Sequence, residues 1–413
     1  MSNLGQIRNP QSAIRNTIRG SFKYLSFGLS FFLLFLVFPV SFAAAEGDIT
    51  LLLDIEEQYS DNFYRRPDDE IDVYSTIIKP GITASTWTDR SSVLFAYSPT
   101  FNYYTGDNHT VDASDDNFVG HDLNLVAETT LYERLRLSLT EIFQATREPG
   151  AYDVLLVGEA DRERYSNNQV RPFLTYDFGE KFTGILGYQH QAYNYEDSRN
   201  SHEHRGYFTL RYHLNDRNSL EVEEQYWTRE YPAEPDYTSS QTQLIFRRTV
   251  SDFLNYEIGV GYHDREFESG ATGVEDYDDI IYRLALTGES DVSKLFLGFR
   301  KNVNDFSKRA SWYFEANRFT LSVEHTFVEK LIFTLATFYQ MNDYETVIPG
   351  DPEVREDEIW DGFLGIRYRI RDWLSAGLSF EHTDRDSNIS EWSYTEDRIF
   401  ASIRCEYGTA RRK

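Results

Sequence analysis

Few side chains in this 413-residue sequence have the types and spacing that catalysis or metal binding requires. The nine histidines are scattered along the chain, and the pair His202 and His204 would place two imidazoles on one face of a strand. Such a pair could begin a metal site, although a rim or loop position without a ligand is the commoner arrangement. The sequence contains no Gly-x-Ser-x-Gly, His-Glu-x-x-His or phosphate-loop motif. It therefore predicts neither an enzyme nor a bound metal or cofactor.

Polar residues recur instead at every second position of short segments. Around residue 257, the run Tyr256, Ile258, Val260 alternates with a second run of Glu, Gly and Gly. In the same way, three leucines near residue 137 alternate with Arg136, Ser and Thr. This period of two predicts strands with one apolar and one polar face. The aromatic content of 16% also favours strands over helices.

One sequence layout returns eight times along the chain. The segment EHTFVEKLIFTLATFYQ, residues 324–340, places a short charged turn between two strand-like runs. Seven further segments share this layout, which predicts eight tight hairpins, and a longer polar stretch follows each of them. Nine long loops and eight short turns predict eighteen strands. The predicted strands span residues 48–62, 71–87, 92–105, 117–130, 135–146, 166–177, 182–195, 203–214, 219–229, 238–250, 255–268, 279–289, 295–303, 310–326, 331–345, 357–371, 374–386 and 395–407.

The first 45 residues have a different composition from the rest. Four basic residues and no acidic residue precede an apolar run at residues 27–42, and three alanines follow it. This order predicts a secretory signal peptide, residues 1–45, with cleavage after Ala45. An uncleaved anchor is the alternative.

The charge of the chain restricts its partners. The formal net charge is −26, and removal of residues 1–45 with their four bases would make it −30. Such a chain repels nucleic acid and anionic surfaces. Many acids cluster in polar stretches such as residues 106–117 and 349–358, which we expect to be solvated loops. The single Cys405 excludes an internal disulfide.

Together these patterns predict a transmembrane barrel. Strands of about 10–15 residues that alternate between short turns and long loops are typical of outer-membrane barrels. Lipid outside and water inside would reconcile a membrane location with a polar composition. We therefore predict one domain, residues 46–413, forming an all-β, antiparallel, up-and-down barrel of about eighteen strands. Its even strand number would place both termini on the periplasmic side, with the short turns. A soluble or secreted all-β protein is the alternative.

One stretch near the start of the predicted barrel carries a family resemblance. Residues 56–64, EEQYSDNFY, contain Tyr59, Asp61 and Asn62, and a strand with Pro80 and Gly81 follows, and then a turn with Arg90. This stretch resembles the type 2 outer-membrane β-barrel porins, which include barrels encoded in exopolysaccharide operons. In layout the resemblance extends over the whole chain after residue 45. The C-terminal sequence IRCEYGTARRK departs from the aromatic last residue that is common in outer-membrane barrels.

The resemblance implies a passive channel that secretes an exopolysaccharide across the outer membrane. A general or sugar-selective porin for small solutes is the second hypothesis, and a surface-binding barrel without conduction is the third. The implied partners are outer-membrane lipid and lipopolysaccharide, the outer-membrane insertion machinery and periplasmic polysaccharide-export proteins. A constriction with arginines facing acids would favour uptake, a wide hydrated lumen would favour export, and ordered loops closing the lumen would favour binding.

The strand faces also predict which residues line the lumen. Charged and tyrosine side chains there could pair across the wall and only hydrate it, or could form many weak contacts for a passing hydrophilic polymer. The predicted path comprises Arg205, Tyr207, Arg211, His213, Glu221, Glu223, Glu257, His263, Arg283, Arg318, Glu324, Arg367, Arg369 and Arg404. Further inward residues are Glu128, Arg136, Arg247 and Glu381. We expect the long loops 147–165 and 346–358 to gate the lumen, with the apolar segment 151–161 as a constriction or a strand extension.

Overall fold

The computed structural model describes residues 46–106, 112–147, 163–196, 200–232, 235–268, 275–305, 313–347 and 352–408. Eighteen β-strands make up most of these stretches. In chain order they are β1 Glu46–Ser60, β2 Val73–Trp87, β3 Ser91–Thr105, β4 Phe118–Tyr132, β5 Leu135–Thr146, β6 Tyr165–Asp177, β7 Phe182–Tyr195, β8 Ser201–Asn215, β9 Asn218–Glu230, β10 Tyr237–Ser251, β11 Leu254–Phe267, β12 Tyr277–Glu289, β13 Ser293–Asp305, β14 Tyr313–Phe327, β15 Leu331–Tyr344, β16 Glu356–Arg371, β17 Leu374–Ser387 and β18 Tyr394–Gly408. Two short 3₁₀ turns, Ala113–Asp116 and Ser390–Trp392, lie between strands.

The strands form one sheet that closes on itself. Each strand pairs antiparallel with its neighbours in sequence, and β1 also pairs with β18, from Thr50 opposite Gly408 to Ser60 opposite Arg398. Closure leaves no edge strand, because every strand pairs with a neighbour on each side over at least part of its length. The predicted up-and-down barrel of eighteen strands is confirmed.

The strands occur where the period of two predicted them. Each predicted strand is present, and its ends differ from the prediction by three residues at most, at the start of β14. Eight turns of two to four residues connect strands at one end of the barrel, and nine loops of five or more residues connect them at the other. We call these the turn side and the loop side. In the β14–β15 turn, Val328 and Glu329 have φ of 46° and 62°, the left-handed conformation that tight hairpins use.

The two faces of the barrel wall differ in chemistry. On β1, for example, Leu51 and Ile55 point outward and are exposed, and Asp54 and Gln58 point inward. Because opposite residues of an antiparallel pair share a face, the register assigns every strand residue to the outer or the inner surface. The outer surface is apolar and suits lipid, whereas the inner surface is polar. No helix within the described stretches has both the length and the apolar character needed to cross a bilayer.

The wall is interrupted between β12 and β13. Their pairing runs only from Glu289 opposite Lys294 to Arg283 opposite Arg300. Beyond this point the loop-side end of β13, Lys301–Asp305, is not paired with β12 but stays paired with β14. This end of β13 can therefore leave the wall and lean into the lumen.

Candidate functional site

All the residues that the strand faces predicted to be inward lie on the inner surface of the barrel. Residues that are opposite each other on paired strands lie on the same face. Arg211 is opposite Glu221 and Arg247 is opposite Glu257, so the register places these residues together on the inner face. On β16 to β18, Arg369 is opposite Ser375, which in turn is opposite Arg404. The register fixes position only, and their role as a substrate path stays a prediction.

Five of these residues form a continuous chain of ion pairs across β8 to β12. Arg211 donates to Glu221 over 2.6 Å, Arg247 donates to the same carboxylate over 2.8 Å, and Arg247 also pairs with Glu257. Arg283 continues the row at 3.3 Å from Glu257. We call this set the Arg–Glu ladder. Since Glu221 is 1% exposed, its charge is neutralised by the two guanidinium groups and does not face the water of the lumen.

The ladder predicts an effect on ion selectivity. In Glu221→Gln the two arginines lose the charge that they share, so we expect the anion-to-cation permeability ratio to rise about fivefold, the effect of about 1 kcal/mol. Reversal potentials across a planar bilayer with a salt gradient measure this ratio. The matched control is Glu128→Gln, which removes an exposed lumen carboxylate that makes no ion pair with any described residue. Equal shifts in both variants would contradict the proposed neutralisation.

Other predicted path residues are less accessible than the sequence suggested. His263 is 3% exposed and packs between the rings of Trp227 and Tyr277. Arg318 is 6% exposed, lies over the ring of Phe338 and donates to Gln340 over 3.3 Å. These side chains belong to the packed wall of the barrel rather than to its open surface.

The remaining predicted residues divide between separate parts of the lumen. Arg367, Arg369 and Arg404 meet at the turn side, where they line one cavity. Glu324 is held by Lys294 at 3.3 Å, and His213 lies 3.2 Å from the hydroxyl of Thr183. The structure therefore brings together the ladder residues and, separately, the turn-side arginines. His213 lines one cavity with ladder residues Arg211 and Arg247, and Glu324 lies apart from both groups.

A buried ion cluster lies at the loop side of the lumen, and the sequence patterns did not predict it. Asp305, at the end of β13, accepts from Arg265 and from the hydroxyl of Tyr237, both over 2.8 Å, and pairs with Arg229. Arg265 is 2% exposed. By strand alternation residue 305 would face outward, and it reaches the inner wall because β13 has left β12. The cluster therefore anchors the leaning end of β13 against β9, β10 and β11.

A second buried cluster occupies the loop side of β16 and β17. Asp357 accepts two hydrogen bonds from Arg355, with a shortest distance of 2.9 Å, and one from Arg385 over 2.5 Å. The guanidinium of Arg355 also lies 3.9 Å from the ring centre of Trp392 and 4.5 Å from that of Tyr344. All three charged side chains are at most 2% exposed. This cluster joins two loop segments to the inner wall.

The first two loops also fold toward the inner wall. Phe63 and Ile71 of the β1–β2 loop are buried against Val73 and Tyr104, which lie on the inner surface. The hydroxyl of Tyr64 donates to Asp116 in the next loop over 2.6 Å. Burial, and then this hydrogen bond, raise the pKa of Tyr64 and keep the phenol protonated. The described loop segments therefore narrow the loop side of the lumen.

Three cavities line the described inner wall. The turn-side cavity, of about 620 Å³, lies at β15 to β18, and a second one of about 450 Å³ lies at the turn side of β8 to β13. The loop-side cavity, of about 510 Å³, extends over β5 to β13. Arginines line all three, and each contains more basic than acidic side chains. Basic side chains therefore line these lumen cavities, although the chain as a whole is strongly acidic.

The histidine pair of the sequence lies on the outer surface. His202 and His204 share the outer face of β8, and the ring of His190 on β7 stands 6.2 Å and 4.8 Å from theirs. Within the described ranges, no group of three His, Cys, Asp or Glu side chains could hold a metal ion. The cluster lies near the loop-side rim, outside the lumen.

Comparison with known families identifies the class of barrel. Residues 245–407 match the family described as "Putative beta-barrel porin 2". This segment is therefore similar to that porin family. The match extends from β10 to β18 and so covers the second half of the barrel, which confirms the predicted family. The residues that carried the resemblance, at 56–104, lie outside it.

Solved structures of other bacterial proteins align with most of this chain. OpdK of Pseudomonas aeruginosa, crystallised with vanillate, is 12% identical, with 88% of this chain and 99% of that chain covered and a TM-score of 0.47. OccK2 (OpdF) of the same species, in complex with glucuronate, is 12% identical, with coverages of 87% and 98% and a TM-score of 0.48. OccAB3 of Acinetobacter baumannii is 9% identical, with coverages of 88% and 100% and a TM-score of 0.49. At such low identity the similarity concerns the fold alone. Among curated proteins, none matches the chain.

The family assignment fixes the general character of this porin. It is an outer-membrane β-barrel of the channel-forming type, a class that is typically not enzymatic. The predicted signal peptide, the segment 151–161 and the last five residues, 409–413, lie outside the described residues.

Proposed function

We propose that this porin secretes an exopolysaccharide across the outer membrane. The observation that carries the proposal is the difference between the two mouths of the lumen. At the turn side a cavity of about 620 Å³ contains four arginines against Asp372 and Glu406. At the loop side, loop segments and buried ion clusters narrow the lumen. Short turns face the periplasm in barrels of this class, so the arginine-lined mouth faces the compartment from which an exported polymer arrives.

The chemistry of the inner wall suits a passing glycan. Amide side chains line the loop-side cavity on several neighbouring strands, and many of them bond one another. Gln191 donates to Asn167 over 3.1 Å and to Tyr193 over 2.8 Å, and Gln189 accepts from Tyr207 over 2.8 Å. Such groups can exchange these bonds for bonds to sugar hydroxyls. Many weak, replaceable contacts favour movement over tight retention.

The proposal includes a topology and partners. Both termini, Glu46 after signal cleavage and the end of β18, lie at the turn side and would be periplasmic. The outer surface would contact lipid and lipopolysaccharide after insertion by the outer-membrane machinery. Periplasmic polysaccharide-export proteins would deliver the polymer to the turn-side mouth, where its arginines concentrate an anionic chain.

Gene deletion with complementation tests the proposal. Deletion should abolish surface polysaccharide and leave its periplasmic synthesis intact, and the wild-type gene should restore it. The double variant Arg367→Glu/Arg369→Glu, which reverses charge in the turn-side cavity, should restore less than a tenth of it. The control Arg90→Glu/Arg134→Glu makes the same charge change at exposed turn residues. Unchanged surface polysaccharide after deletion would exclude export.

A small-solute uptake porin is the second candidate, and the Arg–Glu ladder favours it. Alternating charges across a lumen wall are the arrangement that a selective uptake constriction would need. The two candidates differ in what deletion changes: an uptake porin would leave surface polysaccharide unaltered and slow the entry of small solutes. The inward loop segments also suit a surface-binding barrel, which would show no conductance in a planar bilayer even when correctly folded.

A further inference from the structure

The loop-side cavity has a charge opposite to that of the chain. Six arginines and one lysine line it, against two acids, Glu203 and Asp305, although the whole protein carries −26. Both acids are already engaged, since Glu203 holds Arg205 at 2.9 Å and Asp305 holds the buried cluster. Of the other bases, Arg283 pairs with Glu257 and Lys301 pairs with Glu315, whereas Arg171 has no acidic partner among the described residues. A low-dielectric wall with an excess of bases favours an anionic ligand.

One of these arginines has no partner of its own. Arg171 on β6 makes no ion pair or hydrogen bond with any described residue, and its Nε is buried without a hydrogen-bond partner. Its positive charge acts on the nearby phenol of Tyr207. Arg171 as a whole is half-buried, so its guanidinium is open to a ligand, and a carboxylate can supply two parallel hydrogen bonds to it. The geometry of this side chain therefore suits a carboxylate ligand.

Two further polar atoms in the cavity also lack partners. The indole Nε1 of Trp227 and the Nε2 of His263 are buried without a hydrogen-bond partner, and both side chains are 3% exposed. Their rings stand 5.0 Å apart. Gln241, which is opposite both His263 and Gln225 in the register, makes no hydrogen bond through its side chain within the described part of the chain. Native proteins seldom leave polar groups unsatisfied, and a sugar hydroxyl would satisfy the half-buried amide of Gln241.

We propose that the loop-side cavity is a binding subsite for carboxylated sugar units of an anionic glycan. Arg171 pairs with a carboxylate, and Gln241 binds a hydroxyl group of the same oligosaccharide, several strands further round the wall. A volume of about 510 Å³ is within the usual range for ligand pockets, about 300–1,000 Å³. The assignment rests on the proposed passage of a glycan and adds the charge of that glycan.

Calorimetric titration of the full folded barrel in detergent tests the subsite. The probes are a hexameric oligouronate and a neutral oligoglucose of equal length. We expect the oligouronate to bind at least tenfold more tightly, and Arg171→Gln to weaken it about tenfold while leaving the neutral glycan unchanged. Arg171→Lys keeps the charge without the two-pronged geometry and should lose less. The control Arg90→Gln removes the same charge from an exposed turn outside the cavities and should change oligouronate binding less than threefold.

The outcomes separate this inference from the proposed function. Equal affinity for the two glycans, or equal loss in the Arg171 and Arg90 variants, would overturn the anionic subsite and leave glycan export standing. Absence of binding by both glycans would overturn the subsite too, while the deletion phenotype decides export independently. Tight, charge-dependent binding combined with unchanged surface polysaccharide after deletion would retain the subsite and overturn export.

Discussion

Asp357→Ala is expected to destabilise the barrel by about 3–5 kcal/mol. In the wild type this carboxylate accepts from Arg355 over 2.9 Å and from Arg385 over 2.5 Å, and all three side chains are at most 2% exposed. Removal of the acid takes from two buried guanidinium groups the carboxylate that they share. The cost of such an uncompensated charge exceeds the loss of the hydrogen bonds themselves.

Urea unfolding of the refolded barrel, followed by tryptophan fluorescence, measures the change. The matched control is Asp384→Ala on β17, an exposed acid on the outer face near the same rim, which should change the stability by less than about 0.5 kcal/mol. The triple variant Arg355→Met/Asp357→Leu/Arg385→Met removes every charge of the cluster and should recover most of the loss. Equal stability of the Asp357 and Asp384 variants would show that the cluster is not closed in the folded barrel.

The fold could be predicted because a barrel is encoded locally. Each strand needs only an alternation of apolar and polar residues, and each hairpin needs only a short charged turn. The segment 324–340 contains both signals, and the structure places β14, a turn and β15 there. Closure then follows, because the backbone N–H and C=O groups at an open sheet edge would have no hydrogen-bond partner in lipid.

The inner face could be predicted for the same reason, but the contacts made on it could not. The period of two along each strand assigns Arg211, Glu221 and Arg247 to the lumen. The same rule also assigns Arg171 and Arg229 to the lumen. Parity does not say that Glu221 is enclosed by two arginines or that His263 is packed under a tryptophan. Those contacts depend on strand stagger and side-chain length.

The loop side was beyond sequence reasoning for a different physical reason. Asp305 lies at an outward position by alternation and turns inward only because β13 loses its pairing with β12 beyond Arg283. Arg355 and Trp392 meet through two loops that are distant in sequence. Contacts of this kind are set by the tertiary arrangement of loops, for which short-range patterns carry no signal.

The largest functional effect is expected from Asp305→Ala. This variant removes the shared acceptor of Arg229, Arg265 and Tyr237, and these are the described contacts that anchor the end of β13 to the opposite strands. If the narrowed state loses about 3 kcal/mol, the ratio of open to narrowed channels rises about 150-fold. Single-channel recordings should then show longer openings and larger steps than in the wild type.

The matched control is Asp264→Ala. Asp264 lies on the outer face of β11 and forms no ion pair with a described residue. Its openings should match those of the wild type. Because β13 is paired with β14 alone at this end, its release does not require any other strand to separate. Larger openings in the Asp305 variant alone would therefore identify the β13 end as a movable gate, as a secretion channel requires when no polymer is passing. Unchanged openings in a correctly folded variant would mean that the narrowing is fixed by the loops, which is the behaviour of a small-solute porin.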